Sequence, residues 1–421
     1  MLSHKVLIFT LFVSYLSFAQ PGGQGVTQND IQLNTITTAL PFLGINPDSR
    51  SGAMGDAGTA LSPNSSSVMW NTAMLNFSES KGELGVSYTP WLRQLTNDMH
   101  LSYLSGYTRI GTKHVIGGAL RYFSLGEITF TDNAGNYIRE FKPNEFELTL
   151  AYSFKLAEKH SIGVNGKFAL SNLTGGLVTA GTETKSAIAG IADISYAFRT
   201  EDIEWFKVPG VYSLGVVIAN VGNKVAYSAN ARRDFLPTTL RIGNAYTAKI
   251  DKYNKLTVSL DVSKLLVPTP GVYANINGER TLVSGKSNDV GVIAGMIQSF
   301  YDAPGRVLED DNGDPIANAD GTFQVKKGSK FGEEMREIMI GSGLEYWYND
   351  IFAVRGGYFY ENISKGGRQF FTMGIGFKYN VFGFDFSYLA AMRRNNPLAN
   401  TMRFTLRFTL GEKTKATKIE E

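Results

Sequence analysis

The chain of 421 residues carries 41 Lys and Arg against 38 Asp and Glu, a formal net charge of +3, and no Cys. This small net charge gives no case for nucleic-acid binding, which requires a basic patch or stripe. The lack of thiols excludes disulfides, thiolate metal sites, a Cys nucleophile and a lipidated N-terminal Cys. Only 19% of the residues are charged and 12% are aromatic, which fits a membrane β-barrel with aromatic girdles, although a soluble array of β-sandwiches has a similar composition.

Residues 1–19 are predicted to be a secretory signal peptide. Lys5 gives the positive start, residues 6–18 form the apolar core, and Ser17 to Ala19 provide a small-residue cleavage site before Gln20. The apolar run of about a dozen residues is shorter than the roughly 20 that a spanning helix needs. Export without helical spans leaves the periplasm, the exterior or the outer membrane.

Residues 20–80 are predicted to form an N-terminal extension and a plug. Residues 20–32 are rich in Gly, Gln and Asn, and residues 35–77 lack a two-residue alternation. Residues 66–75 are expected to form a short helix. This region therefore differs from the wall that follows it.

From residue 81 to residue 411, apolar and polar side chains alternate along the chain with a period of two residues. Phe146, Leu148 and Leu150 fall on one face of a strand, opposite Glu147 and Thr149. An apolar, aromatic face opposite a charged face predicts an antiparallel transmembrane β-barrel, with lipid outside and water inside. The candidate strands are residues 82–91, 98–109, 113–126, 144–155, 160–172, 186–199, 211–221, 237–250, 254–264, 288–300, 338–349, 351–361, 369–379, 382–391 and 401–410, and residues 412–421 form a polar C-terminal tail.

Single-chain bacterial barrels have an even number of strands, so either one of these about fifteen segments is spurious or one strand is missing from the set. If the short turns face the periplasm, the alternation of turns and loops fails only within residues 265–337. We therefore place the error there, expect about 14 strands, and leave open the side of the membrane on which residues 301–337 lie. Outward connections are expected at residues 127–143, 173–185, 222–236, 362–368 and 392–400.

Both signs of charge occur on the predicted lumenal face. A balanced set favours salt bridges against a plug over a pore selective for one ion sign, although simple solvation in a wet lumen explains it nearly as well. The expected lumenal charges are Arg121, Glu145, Glu147, Lys167, Asp193, Asp261, Lys378, Asp385, Arg403 and Arg407.

Two patterns could indicate chemistry, and we interpret both as structural. Asp310, Asn312 and Asp314 have the spacing that starts a calcium loop, but position 321 is Gly where the bidentate Glu would stand. His100 and Ser102 share one face of a strand and could form part of a lipid deacylase, but Leu101 and its neighbours are expected to face lipid, which places the pair in the lumen. We expect no metal, no cofactor and no catalytic residue.

Two histidines and two basic pairs are interpreted as surface features. His114 and His160 flank predicted short turns. The basic pairs Arg232–Arg233 and Arg393–Arg394 lie in predicted loops, where solvation is the default and contact with lipid phosphates or an acidic partner is the alternative.

The stretch from Pro41 to Ala60, followed by Ser67 to Ala73, resembles the N-terminal signature of FadL-like outer-membrane barrels. In that signature a Gly-rich segment precedes a Trp/Tyr-Asn-Pro-Ala element, and here Thr72 replaces the Pro. The resemblance implies a plug inside the barrel, where glycines permit close packing. The plug residues that it indicates are Gly52, Met54, Gly55, Asp56, Gly58, Trp70 and Asn71.

Five further runs resemble the PorV family of the Bacteroidetes type IX secretion system. They are residues 87–92, 302–305, 343–349, 355–361 and 376–383, and the stretch 306–330 has the character of an insertion. The resemblance implies a non-enzymatic, FadL-type barrel in the outer membrane. It also implies partners: a SprA/Sov-type translocon, the C-terminal domains of secreted cargo, a PorU-type sortase attachment complex and outer-membrane lipid.

Three functions follow from these observations. The first is a secretion shuttle that receives cargo and delivers it to the attachment complex, with recognition in the outward loops. The alternative is a passive transporter of hydrophobic small molecules, which needs an apolar tunnel that a charged lumen discourages. A lipid-modifying enzyme that uses His100 and Ser102 is the third.

Overall fold

The computed structural model describes residues 34–93, 98–131, 136–176, 178–179, 182–205, 207–228, 231–276, 278–310, 314–392 and 400–412. The predicted signal peptide, residues 413–421 of the predicted polar tail and Arg393–Arg394 lie outside these residues, whereas Glu412 belongs to the last strand. All statements below concern the described part of the chain.

Fourteen antiparallel strands form a closed barrel in chain order, and the first strand pairs with the last. This confirms the predicted fold class and strand number. The strands are β1 Ser80–Pro90, β2 Met99–Ile110, β3 His114–Leu125, β4 Asn144–Ala157, β5 His160–Asn172, β6 Ala187–Trp205, β7 Val208–Gly222, β8 Thr239–Lys249, β9 Asn254–Leu265, β10 Ile338–Tyr348, β11 Phe352–Tyr360, β12 Gln369–Tyr379, β13 Phe382–Ala391 and β14 Thr401–Glu412.

The candidate strand at residues 288–300 is wrong. Its centre forms helix α3 (Val292–Gln298) within the connection between β9 and β10. Ile293 and Ile297 are four residues apart, which places them on one face of a helix, and the short apolar run around them does not by itself distinguish a helix from a strand. The error lies within residues 265–337, the region in which the alternation of short turns and long loops fails.

The connections differ sharply between the two ends of the barrel. The β2–β3, β4–β5, β6–β7, β8–β9, β10–β11 and β12–β13 turns are short and share one end. The other end carries the long connections, with hairpins at Ile128–Thr131 with Tyr137–Phe141, Val178–Thr179 with Thr182–Glu183, and Val272–Ile276 with Glu279–Ser284, and helix α4 at Ser329–Arg336. Since short turns face the periplasm in outer-membrane barrels, the long end is outward. Residues 301–337 lie at this outer end.

The outer surface of the wall is apolar. Leu148, Leu150, Val258 and Leu260 are exposed while Glu147 and Ser259 are buried, as the alternation predicts. Exposed Trp205, Tyr253, Tyr348, Tyr379 and Phe382 ring the short-turn end, where an interfacial aromatic girdle is expected. Of the helices among the described residues, none combines the length and the apolarity needed to cross a bilayer.

Residues 34–79, which we call the plug, run through the barrel from its outer mouth to its periplasmic end. Asn34 bonds the Ser364 carbonyl in an outer connection, whereas Asn76 bonds Ser153 and Ser161 beside the β4–β5 turn. The plug contains helices α1 (Ser49–Gly52) and α2 (Ser67–Trp70) and 3₁₀ turns at Pro41–Gly44 and Thr72–Phe77. A further 3₁₀ turn, Ile363–Lys365, lies in the β11–β12 connection.

Candidate functional site

A chain of buried charges joins the plug to the wall at mid-barrel. Arg50 of α1 donates from Nε and Nη2 to the two oxygens of Glu345 on β10, at 2.8 and 2.7 Å. Arg355 on β11 donates to Glu345 and to Asp385, both at 2.7 Å, and Arg407 donates to Asp385 at 2.9 Å. Every member is largely buried. Each carboxylate thus lies between two guanidinium groups, and we call these five residues the ionic clamp.

The clamp continues to a second part of the plug through Glu83 on β1. Arg407 lies 3.8 Å from a Glu83 oxygen, and Glu83 also accepts the backbone N–H of Ser65 at 2.7 Å. With Glu83 included, three guanidinium groups face three carboxylates. A balanced, hydrogen-bonded set is the arrangement in which burial of so many charges can be tolerated.

The opposite wall holds the first turn of the plug. Arg121 on β3 donates to the carbonyl oxygens of Phe42 and Leu43 at 2.9 and 3.1 Å, and its Nε lies 3.4 Å from Glu147. Lys167 pairs with Asp193 at 2.7 Å and lies 3.9 Å from Glu147. Wall charges therefore neutralise each other or bond the plug backbone.

Asp261 on β9 receives the plug backbone directly. Its Oδ2 accepts the N–H groups of Gly58 and Thr59, each at 2.9 Å, while its Oδ1 is buried without a hydrogen-bond partner. The remaining predicted lumenal charges lie apart from this contact. Glu145 is buried against Ser171, Arg403 is buried 3.8 Å from Asp56 of the plug, and Lys378 lies exposed near the periplasmic end of β12.

The plug signature packs around Trp70. Its Nε1 donates to Asp48 at 2.8 Å, and Asp48 also caps α1 by accepting from the Ser51 N–H. A side chain at Gly58 would begin 2.3 Å from the Trp70 ring. Asn71 donates to the carbonyl of Thr59 at 3.0 Å and to that of Tyr196 on β6 at 3.1 Å.

At the other signature glycines the plug backbone meets the wall backbone. Gly55 has φ of 66°, and a Cβ there would lie 2.4 Å from the Tyr358 carbonyl oxygen. From the wall side, a Cβ at Gly357 would lie 2.1 Å from the Gly55 nitrogen. Met54, between these contacts, is fully buried, and Gly52 lies against Arg403. Only glycine permits this approach on both sides.

Sequence reasoning missed three of the five residues of the ionic clamp. Glu345 and Arg355 occupy alternating, inward positions of β10 and β11, so the same two-residue pattern that indicated Asp385 could have indicated them. Arg50 gave no such signal because the plug has no regular period. The guanidinium of Arg241 lies 5.1 Å above the Trp70 ring. Arg241 is also an inward residue of a strand, so the same pattern could have indicated it.

A second buried charge cluster, which we call the mouth cluster, lies at the outer end. Lys365 bonds Glu333 at 2.8 Å and Glu337 at 2.9 Å, and Lys264 bonds Glu334 at 3.3 Å and also pairs with Glu337. Asn34, the first described residue of the plug, donates to Glu333 at 3.0 Å. The mouth cluster therefore ties the plug to the β9–β10 and β11–β12 connections.

Asp302 adjoins the mouth cluster in the β9–β10 connection. Burial, together with the nearby carboxylates of Glu337 and Glu334, raises the pKa of Asp302 to about 6. Its Oδ2 accepts from the Thr269 N–H at 3.1 Å and from the Gln298 amide at 3.2 Å. Because the folded state holds this proton more tightly than the unfolded state does, the stabilisation it gives is complete at low pH and is lost as the pH rises through about 6.

We expect Asp302→Asn to remove this pH dependence, because Asn keeps an acceptor oxygen and cannot ionise. The apparent unfolding temperature of the wild type should fall relative to that of the variant as the pH rises from 3.8 to about 6. Thermal unfolding of both proteins in detergent across this interval measures the difference. A difference that does not change with pH would contradict the assignment.

The predicted orientation of His100 and Ser102 is wrong. Leu101 and Tyr103 are buried in the lumen, whereas His100 and Ser102 lie on the outer face of β2. Met99 shares the inward face with Leu101, so it does not face lipid either. The inward face of β2 is apolar because it packs on apolar plug residues rather than on water.

The outward orientation of His100 does not assemble a catalytic site. Its ring contacts are with Tyr88 and Tyr122, with centroids 5.6 and 6.2 Å apart. An aromatic ring cannot orient an imidazole as the carboxylate of a triad does. These contacts are typical of an interfacial aromatic girdle.

The remaining candidates have local roles. Asp310 accepts the Asp314 N–H at 3.0 Å in a turn, and Asn312 lies outside the described residues. His114 and His160 bond the Tyr152 and Tyr196 hydroxyls at 2.8 and 2.7 Å. Within the described ranges no three His, Asp or Glu side chains are placed to share a metal ion. Arg232 bonds Asn288 at 2.9 Å, and Arg233 is exposed.

Solved structures similar to this chain include transporters of aromatic hydrocarbons. The Pseudomonas putida toluene transporter TodX is 11% identical, with a TM-score of 0.44 over 89% of this chain and 98% of that chain. The Ralstonia pickettii toluene transporter TbuX is 11% identical, with a TM-score of 0.45 over 88% and 98%. A Pseudomonas aeruginosa FadL homologue is 10% identical, with a TM-score of 0.41 over 90% and 99%.

The search of curated proteins returned no match. The family described as "Type IX secretion system protein PorV" matches residues 27–272, which is more than half of the 421 residues. This chain therefore belongs to the PorV family of the type IX secretion system.

Proposed function

We propose that this protein is a non-enzymatic docking component of the type IX system in the outer membrane. It receives cargo from a SprA/Sov-type translocon through the C-terminal domain of the cargo and delivers it to a PorU-type attachment complex. Family membership supports the secretion role, and the ionic clamp supports a scaffold rather than a conduit.

The clamp carries the argument for a scaffold because it fixes the plug inside the wall. Opening a path through the lumen would break the bonds of Arg50 to Glu345 and separate buried charges, which is strongly unfavourable. The backbone contact between Gly55 and Gly357 leaves no space at the same level. A passive transporter of hydrophobic molecules needs the opposite, an apolar tunnel that opens easily.

We place cargo recognition on the long outer connections. β1 pairs with β14, so the described wall offers no free edge to which a cargo domain could add a strand. The outer connections are the larger and more irregular surface, and function commonly resides in loops carried by a rigid scaffold. The β9–β10 connection is the largest of them.

Deletion of the gene tests the proposal most directly. We expect many secreted proteins that carry the C-terminal domain to disappear together from the surface and the medium and to accumulate in the periplasm. Proteomics of the cell fractions measures this, with the wild-type gene returned as a control. Normal secretion in a deletion strain would contradict the proposal, and intact secretion with lost uptake of hydrophobic compounds would favour the transporter.

Variants of His100 and Ser102 separate the docking role from catalysis. Replacing each by Ala in the complemented strain should leave secretion and the mass of lipid A unchanged, because neither residue belongs to the clamp or to a triad. Loss of a lipid A modification with either variant would support the lipid-modifying enzyme instead.

Site-specific photo-cross-linking tests where cargo binds. Cross-linkable residues placed at Tyr273 and Lys326 in the outer β9–β10 connection should capture the cargo C-terminal domain. The same residue at Lys113 or Lys252, in short periplasmic turns, is the matched control. Cross-links confined to the periplasmic positions, in a cell that secretes normally, would contradict recognition by the outer connections.

A further inference from the structure

Helix α3 has its one polar side chain, Gln298, against the protein and two isoleucines outward. Ile293 and Ile297 are 62% and 59% exposed, whereas Gln298 is buried and donates to the Ser287 carbonyl at 3.0 Å. Gly295, on the buried side, packs on Phe235 and Pro268. A helix that faces water normally shows the reverse arrangement.

Helix α4 in the same connection repeats this inverted arrangement. Phe331 and Met335 share one face and are 70% and 47% exposed. Glu333 and Glu334 face the protein, where they bond Lys365 and Lys264 of the mouth cluster. Two neighbouring helices with inverted polarity indicate an apolar medium on their outer side.

An apolar groove of about 210 Å³ lies between these helices and the outer surface of the wall. Its floor is formed by Leu240, Ile242, Val262 and Ile338, which are side chains on the outward face of β8, β9 and β10. Phe300, just after α3, and Met335 of α4 form its other side. The floor is continuous with the apolar surface that the barrel presents to the membrane.

The charges in the groove are already paired. Lys264 and Glu334 both line it, and they bond each other at 3.3 Å while Lys264 also pairs with Glu337. The groove therefore presents no free charge to a headgroup or to a charged peptide, and its remaining lining suits hydrocarbon. Continuity with the membrane surface and charge neutrality both favour a lipid chain over a protein segment.

We propose that α3 and α4 lie in the outer leaflet of the membrane and that the groove binds one acyl chain of an outer-leaflet lipid. Only the α3 and α4 parts of the β9–β10 connection then lie along the wall, while exposed parts such as Lys326 remain in water. The exposed apolar side chains Ile293, Ile297, Phe331 and Met335 contact lipid. On the buried sides, Gln298 bonds the Ser287 carbonyl, and Glu333 and Glu334 bond the mouth cluster. This inference is independent of the secretion role.

The absence of Cys from the sequence permits a clean labelling test. Single-Cys variants Ile297→Cys and Met335→Cys, labelled with the NBD fluorophore, are placed in phospholipid nanodiscs. Nitroxides near the lipid headgroup should quench both labels, while aqueous iodide should quench them several-fold less than a label at Lys326→Cys, an exposed site in the same connection. Leu150→Cys, on the lipid-facing wall, is the membrane control.

Two results would overturn the membrane placement. The first is iodide quenching at residues 297 and 335 equal to that at residue 326, with no quenching by the lipid nitroxides. The second is a label that is open to water in nanodiscs and becomes shielded only when the translocon is added, which would assign this face to a protein interface.

The groove itself is tested by filling it. Val262→Trp should remove one tightly retained phospholipid, counted by native mass spectrometry after partial delipidation. Val258→Trp is the matched control, since Val258 lies on the same face of β9 but outside the groove. Equal retention by the two variants would overturn the binding site, and heat-modifiable migration would show that both barrels are folded.

Discussion

Glu345→Gln is expected to lower the free energy of unfolding by about 3–5 kcal/mol, the cost of breaking a buried ion pair by removing one partner. The Glu345 carboxylate accepts hydrogen bonds from both Arg50 and Arg355 and is almost completely buried. The neutral amide leaves two guanidinium groups facing each other in the lumen without their shared anion. The apparent unfolding temperature, followed by heat-modifiable migration in gels, measures the loss.

Asp350→Asn is the matched control for this substitution. Asp350 pairs with Lys255 at 2.6 Å, but it is largely exposed in a periplasmic turn, where an ion pair contributes at most about 1 kcal/mol. Its backbone has φ of 55°, a conformation that Asn accepts readily. Equal unfolding temperatures for the two variants would contradict the structural importance of the clamp.

Gly357→Ala is expected to push the plug away from β11 and to make the barrel leak ions. The added methyl would lie 2.1 Å from the Gly55 nitrogen and 2.3 Å from the Met54 carbonyl carbon, and backbone atoms cannot turn aside as a flexible side chain can. Overpacking of this kind costs about 1–3 kcal/mol or more. Conductance in planar bilayers should rise above that of the wild type.

Gly356→Ala separates plug contact from a general effect on the strand. The neighbouring Gly356 is on the other face of β11, and the nearest atom to an added methyl is 3.9 Å away. This variant should conduct like the wild type and unfold at a similar temperature. A wild-type conductance for Gly357→Ala, with the barrel folded, would mean that the plug does not seal at this level.

The two-residue pattern predicted the wall because the pleat of a strand forces side chains to alternate, whatever else surrounds them. To decide which face is inward, the prediction also assumed that the lumen is filled with water. It failed where that assumption does not hold. On β2 the inward Leu101 and Tyr103 pack on the plug, so the inward face is the more apolar one beside His100, and the pattern wrongly assigned that face to lipid. At Ile293 and Ile297 a short apolar run fitted two periods equally well.

The site was predictable as a set of inward charges but not as a set of pairs. Asp385, Arg403 and Arg407 have the correct face from their strands alone. Their partners come from distant parts of the chain: Arg50 and Glu345, for example, are separated by 295 residues. Pairing across such distances depends on strand order and plug position, which no local pattern encodes.

The threaded path of the plug constrains how the protein can be made. Asn34 lies at the outer mouth, the plug ends where β1 begins at the periplasmic side, and β1 then pairs with β14 to complete the ring. A segment that passes through a closed ring cannot be inserted afterwards without dragging its charges past the wall. Joining the first and last strands around a plug that is already in position avoids this cost, because each wall charge can then meet its plug partner as the ring closes.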